Sequence, residues 1–131
     1  MAEEIKKPKI LLVDDDSFLL DMYLLKFKVN GLSVDTVSSS QEALTKLRNG
    51  DTYDVLVLDI IMPTIDGVEL LKIIREEKIC PEANIIMLTN QASEIEHAKK
   101  LGVDGYIVKA TSTPSEVVNK VLAIYNDKHK K

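Results

Sequence analysis

Five short apolar runs, each followed by a stretch of helical character, most constrain what this 131-residue chain can fold into. The runs are Lys9–Val13 (KILLV), Ser33–Val37 (SVDTV), Val55–Leu58 (VLVL), Asn84–Leu88 (NIIML) and Tyr106–Val108 (YIV). Strands that alternate with helical segments predict a parallel sheet covered by helices on both faces, with right-handed crossovers. The third run is apolar without interruption, which suits a central strand buried on both sides. The alternating SVDTV suits an edge.

The intervening stretches carry helix signals. Ser17 opens the first, with Phe18, Met22, Leu25 and Val29 at helical spacing on one face, expected to turn inward, and Asn30-Gly31 stops it. Ser39 and Glu42 form a capping-box pattern before a short helix that Asn49-Gly50 ends. A helix is predicted from about Asp66 to Glu77, with Val68, Leu71 and Ile74 inward, and Pro81 marks the loop after it. Ser93 and Glu96 make another capping box, and Gly102 closes that helix. Thr113-Pro114-Ser115-Glu116 combines a capping box with proline at the first helical position. Val117, Val118, Val121, Leu122 and Tyr125 then form an apolar face, and the charged tail NDKHKK is expected to fray. The expectation is one domain over residues 1–131, with its core at about 9–126 and no linker or repeat.

Composition narrows the function classes. With 45% hydrophobic and 29% charged residues, the chain has enough apolar content for a full core. A formal charge of −4 gives no reason to expect nucleic-acid binding, because phosphate-binding surfaces are basic. No apolar run approaches the ~20 residues of a membrane span, and MAEEIKKPK lacks the apolar stretch of a secretory signal. Cys80, the only cysteine, allows no intramolecular disulfide, so a cytoplasmic location is expected and the thiol reads as buried or idle.

Four strands end in chemically useful residues: Asp14-Asp15-Asp16 after the first, Asp59 after the third, Thr89 after the fourth and Lys109 after the fifth. In a parallel sheet all of them lie along the carboxyl edge, where open α/β sheets bind ligands. Clustered carboxylates repel one another unless a cation joins them, and a hard oxygen set of this kind suits Mg²⁺. Lysine and a hydroxyl beside that metal can hold phosphoryl oxygens. The chemistry implied is phosphoryl transfer, with an aspartate available as nucleophile. Asp16 reads as a helix cap rather than a ligand. His97 and His129 stand on polar stretches, too isolated for ligation.

The segments ILLVDDDS, VLVLDIIMPTIDG, IIMLTNQ and GYIVK, in order and at the right spacing, resemble the response-regulator receiver domain of two-component signalling, in its single-domain, chemotaxis-regulator-like form. The resemblance implies a flavodoxin-like (βα)5 doubly wound sheet with strand order 2-1-3-4-5. It implies Asp59 as phospho-acceptor, with Asp14, Asp15, Asp59 and the Ile61 backbone carbonyl holding Mg²⁺. Thr89 and Lys109 would contact the phosphoryl group, and Thr89 and Tyr106 would act as the switch pair. Tyr106 also reads as an ordinary half-buried strand tyrosine. The implied partners are a sensor histidine kinase or histidine phosphotransfer protein, and a downstream protein bound through about Ser93–Tyr125. Dimerisation on phosphorylation is compatible with this but has no sequence signal.

Such a domain is a switch and not a turnover enzyme. Three alternatives compete with it: a partner-binding receiver that is not phosphorylated, a receiver cut from a larger protein, and an enzyme or flavin carrier. A phosphohydrolase of the haloacid dehalogenase type needs a second aspartate where Ile61 stands, and a flavin carrier needs a phosphate loop where three aspartates stand. The chain departs from the family where Ala110 replaces the usual proline after the lysine. A cis bond before a non-proline residue costs about 3 kcal/mol, so a trans Lys109–Ala110 bond is expected. Asn90 is larger than the family's usual residue and could narrow access. Ile61 and Gln91 occupy the positions that tune phosphoryl hydrolysis, and apolar Ile61 implies a long-lived phosphoryl group.

Overall fold

The structure, a computed structural model, describes residues 7–90 and 95–128. The five runs form parallel strands: β1 (Lys9–Val13), β2 (Ser33–Val37), β3 (Val55–Asp59), β4 (Asn84–Thr89) and β5 (Gly105–Val108). Between and after them lie α1 (Ser17–Val29), α2 (Ser40–Arg48), α3 (Gly67–Glu76), α4 (Ile95–Lys100) and α5 (Pro114–Lys128). The sheet order is β2-β1-β3-β4-β5, with every pairing parallel. This is the flavodoxin-like order expected, with SVDTV at an edge.

The unbroken apolar run of β3 is explained by two cores. Val55 and Val57 pack on one side with Leu20, Tyr23 and Phe27 of α1 and Val117, Val118 and Val121 of α5. Leu56 and Leu58 pack on the other with Ala43, Leu44 and Leu47 of α2 and Leu70, Leu71 and Ile74 of α3. Successive side chains of a strand alternate faces, so a strand covered on both sides takes polar residues only at its ends, as Asp59 stands in β3.

Local signals set the helix starts. The Asp16 carboxylate accepts from the Leu19 N–H at 3.1 Å and caps α1, as its reading as a cap requires. Ser39 caps α2 through the Glu42 N–H, but the Glu42 carboxylate turns to the Ser38 N–H and hydroxyl, so this box closes one residue early. Asp66 caps α3 through the Glu69 N–H at 2.9 Å. At α5 the box is reciprocal: Glu116 N–H to the Thr113 hydroxyl at 3.1 Å, and Thr113 N–H to the Glu116 carboxylate at 2.8 Å. Ser93 lies outside the described residues. The last helix runs through Lys128, and the rest of the charged tail lies outside the described residues.

The face of α1 is the clearest correction. Phe18, Leu25 and Val29 are 71%, 62% and 73% exposed, and Met22 also reaches solvent; Leu20, Tyr23 and Phe27 are buried instead. The helix is apolar on nearly every side, SFLLDMYLLKFKV, so both sets satisfy helical spacing. Packing against α5 and β2 selects the second. In α3, Val68 is only partly buried, and Leu70 joins Leu71 and Ile74 inside.

The two phenylalanines of α1 therefore differ sharply. Phe27→Ala should destabilise the fold by roughly 3–5 kcal/mol, whereas Phe18→Ala should stay within about 0.5 kcal/mol. Urea unfolding followed by circular dichroism distinguishes them, and equal losses would mean that α1 is rotated from the face described.

Candidate functional site

The sheet register builds the site. Val13 of β1 stands beside Leu58 of β3, so the residues that follow them, Asp14 and Asp59, emerge next to each other at the carboxyl edge. Thr89 ends β4, whose Leu88 pairs with Asp59, and the Ile60 N–H donates to the Leu88 carbonyl at 2.9 Å. Lys109 follows β5 and opens a short 3-10 turn, Lys109–Thr111. There is no cis peptide among the described residues, so the Lys109–Ala110 bond is trans as expected.

Burial and charge oppose each other here. Asp14, Asp59 and Thr89 are buried, while Asp15 is exposed. One carboxylate oxygen from each of Asp14, Asp15 and Asp59 lies within 4.8 Å of the others. Among the described residues, one ammonium stands against these three carboxylates: Lys109 Nζ, 2.9 Å from Asp14 and 3.4 Å from Asp59. The remaining Asp14 oxygen accepts from the Asp16 N–H at 2.9 Å. Burial, then the neighbouring Asp14 charge, push the Asp59 carboxyl up to about 7 against the pull of Lys109. Burial works against the Lys109 charge, yet its hydrogen bond to Asp14 and the Asp59 charge hold its pKa above the ordinary lysine value. Burial also raises the Tyr23 phenol, which lies within the field of Lys109, Asp14 and Asp59.

The donor set fits a hard divalent cation. Three carboxylates within reach of one another, two of them buried and under-compensated by a single lysine, form a site that gains by adding positive charge. Ile61 sits at the rim with its side chain 59% exposed. Asn90 is exposed just past β4, and Gln91 lies outside the described residues. Tyr106 points outward, with the Lys99 ammonium 5.6 Å above its ring.

Two features escaped the sequence reading. The first is Gly67, which the sequence placed only near the start of a helix. A Cβ there would overlap the Asp59 carbonyl oxygen and lie 2.9 Å from both the Asp59 carbonyl carbon and Ile60 Cα. The Gly67 N–H also donates to the Ile60 carbonyl at 2.8 Å, so α3 begins pressed against the backbone at the carboxyl end of β3. The second is Thr64, held at φ +69 in a three-residue turn closed by the Ile65 N–H on the Pro63 carbonyl at 2.8 Å. Such a turn is strained and rare for a β-branched residue. The signal for Gly67 was present as Asp66-Gly67, but the close approach is tertiary.

A doubly wound sheet of order 2-1-3-4-5 with an acidic carboxyl edge places the chain in the flavodoxin-like class. The sequence profile of the response regulator receiver domain matches residues 10–122, and the chain belongs to that family. It is 35% identical over 124 residues to the transcriptional regulatory protein ResD of Bacillus subtilis, covering 93% of this chain and 50% of that protein. It is 36% identical over 118 residues to the alkaline phosphatase synthesis transcriptional regulatory protein PhoP of the same organism, covering 88% of this chain and 48% of that one. The chain thus spans about half the length of these curated relatives. Among solved structures, the receiver domain of the Francisella response regulator 1452 superposes with a TM-score of 0.80 at 32% identity, covering 93% of this chain and 99% of that one. The response regulator protein TrrA of Thermotoga maritima, solved in complex with Mg(2+)-BeF, gives 0.76 at 33% identity, covering 91% and 99%.

Two outcomes follow from this geometry. Gly67→Ala should cost at least about 2 kcal/mol, because backbone rather than a flexible side chain must move, and it should slow any reaction at Asp59; an unaltered melting temperature and reaction rate would mean that the α3 start is free to shift. The second concerns proton linkage. Since Asp59 titrates above its unfolded value in the metal-free fold, the stability it contributes is present at low pH and is lost as pH rises through about 7. A cation must displace that proton, so the rise in Tm produced by millimolar Mg²⁺ should be larger at about pH 8 than at about pH 6. At ten times its dissociation constant the metal should contribute about 1.4 kcal/mol. A Tm that ignores Mg²⁺ at both pH values would mean that the acidic cluster does not bind it.

Proposed function

We propose that this chain is a single receiver domain, its core at about 9–126, that accepts a phosphoryl group on Asp59 and thereby changes a protein-binding surface. The observation that carries this reading is the buried Asp14–Asp59 pair bridged by one lysine, beside an exposed third carboxylate. In this reading Asp14, Asp15, Asp59 and the Ile61 carbonyl would hold Mg²⁺. When bound, the metal supplies positive charge for the phosphoryl oxygens and for the carboxylates themselves.

The protein groups do the rest. An Asp59 carboxylate oxygen attacks phosphorus. The new bond is O–P, and the bond that breaks is P–N to a donor histidine, whose ring leaves with the electron pair. Ionised Asp59 is the reactive form, and Lys109 favours it. Lys109, already within 3.4 Å of Asp59, then has a phosphoryl oxygen to pair with in place of a carboxylate. Thr89, at the end of the adjacent strand, is placed to donate its hydroxyl to another. Tyr106 is the switch aromatic, three residues before Lys109 along β5 and its exit, so a pull on Lys109 reaches the surface around Tyr106 and Lys99. This is regulatory chemistry with one event per signal, not turnover.

A protein donor fits the surface beside the site. The exposed apolar stripe of α1 starts at Phe18, just past the Asp16 cap at the rim, and contiguous exposed apolar residues mark protein contacts. A histidine kinase or histidine phosphotransfer protein is the donor this reading requires, and the surface within 93–125 is its output face. Names of relatives that speak of transcriptional regulation belong to proteins twice this length. The acidic balance of this chain gives no reason to assign nucleic-acid contact to these residues. No described helix is long and apolar enough to cross a membrane.

Incubation with acetyl phosphate and Mg²⁺ should add one phosphoryl group to the wild type, read by intact-mass spectrometry, and none to Asp59→Asn or to either protein without Mg²⁺. Exposed, apolar Ile61 offers nothing to orient water, so the label should persist for minutes at neutral pH. Addition that ignores Asp59 would refute the acceptor assignment, and loss within seconds would refute the role given to Ile61.

A further inference from the structure

Of the six large hydrophobic side chains exposed among the described residues, four lie on α1: Phe18, Met22, Leu25 and Val29. They recur after four, three and four residues, the spacing of a coiled-coil seam, and at ~100° per residue they fall within an arc of about 60°. Asp21 and Lys28 run along one flank of this stripe and Lys26 along the other. All three are exposed, and none makes an ion pair among the described residues. The exposed Asp15 and the capping Asp16 stand at the start of the helix, and Lys26 and Lys28 in its last turn. The outer face of α1 is thus acidic at one end, basic at the other and apolar along its length.

The charges along this face are complementary to the face itself. When a second copy of the helix is laid antiparallel, with the two stripes centred on each other, Phe18 faces Val29 of the other copy and Met22 faces Leu25. The two-fold axis then brings like flanks together. Asp21 comes within about 3 Å, measured along the helix axis, of Lys28 of the other copy, and the same pair forms a second time by symmetry. The acidic start of each helix meets the basic end of the other, and the two macrodipoles run in opposite directions. A parallel pair would set Asp21 toward Lys26, but it would also crowd both acidic starts together and both basic ends together.

We propose that the α1 stripe is the contact face of an antiparallel, two-fold dimer of this chain. The contact is isologous, so it closes at two copies and leaves no stripe open for further growth. The 13 residues of α1 span about 20 Å. One helix pair of that length buries less than the ~800 Å² per partner of a standard interface. The dimer is therefore weak, with a dissociation constant on the order of tens of micromolar. Its consequence rests on the reading of this stripe as the donor's surface: a second copy and a protein donor then exclude each other, so self-association holds back phosphoryl transfer from a protein. The pairing itself does not depend on that reading.

Sedimentation velocity of the whole chain at low salt, from about 5 to about 500 µM, tests this. The wild type should pass from monomer to dimer across that range. Asp21→Lys and Lys28→Asp, both changes at exposed positions, should each weaken association at least about tenfold, because each sets like charges against one another twice. Mixed one to one, the two variants should recover a dimer containing one copy of each, since one copy then carries a flank of two lysines and the other a flank of two aspartates. A wild type that stays monomeric throughout leaves the stripe to the donor or another protein and overturns the proposal. It is equally overturned if either single variant dimerises like the wild type, which for Lys28→Asp is the mark of a parallel pair, or if the mixture remains monomeric. None of these readouts involves Asp59, so they stand or fall apart from the phospho-acceptor assignment.

Discussion

Two carboxylates held side by side in a nearly dry strand edge are what the rest of this structure depends on. Asp14 and Asp59 follow Val13 and Leu58, which are register partners in adjacent parallel strands, so neither can move away without breaking the ladder. Like charges in a buried setting disfavour ionisation, and Lys109 offsets only part of that. The fold therefore maintains a site whose energy falls when positive charge arrives. A divalent cation held by these carboxylates would relieve this tension.

Holding such a site requires a stiff frame. The two-sided core supplies it, since β1, β3 and β4 are buried along almost their whole length. Gly67 adds a local brace, letting α3 start in contact with the backbone of Asp59 and Ile60. The strained Thr64 turn lies in the same connection. Strain beside reactive groups persists only where the surroundings over-determine it, and here both ends of the loop are anchored.

The same frame explains how chemistry at one edge can be read on the surface. Lys109 touches both carboxylates and sits at the end of β5, and Tyr106 on that strand is exposed against Lys99. In the proposed reading, a change in the partner of Lys109 would act on a short, edge-lying strand, the least buried of the five.

Much of this was legible in the residues themselves. Strand positions, the caps at Asp16, Ser39 and Thr113, and the gathering of Asp14, Asp15, Asp59, Thr89 and Lys109 at one edge follow from local signals plus the rule that parallel strands share a direction. Those signals are short-range, so a sequence carries them whole. The inward face of α1 was not legible, because SFLLDMYLLKFKV is apolar all round and only packing against α5 and β2 selects Tyr23 and Phe27 over Phe18 and Leu25. The close approach of Gly67, the tie from Lys109 to Asp14 across 95 residues, and the side-chain oxygen of Asn84, unpartnered among the described residues, were decided by tertiary structure alone. Each depends on the distance between segments remote in the chain, and residue type and spacing do not encode that distance.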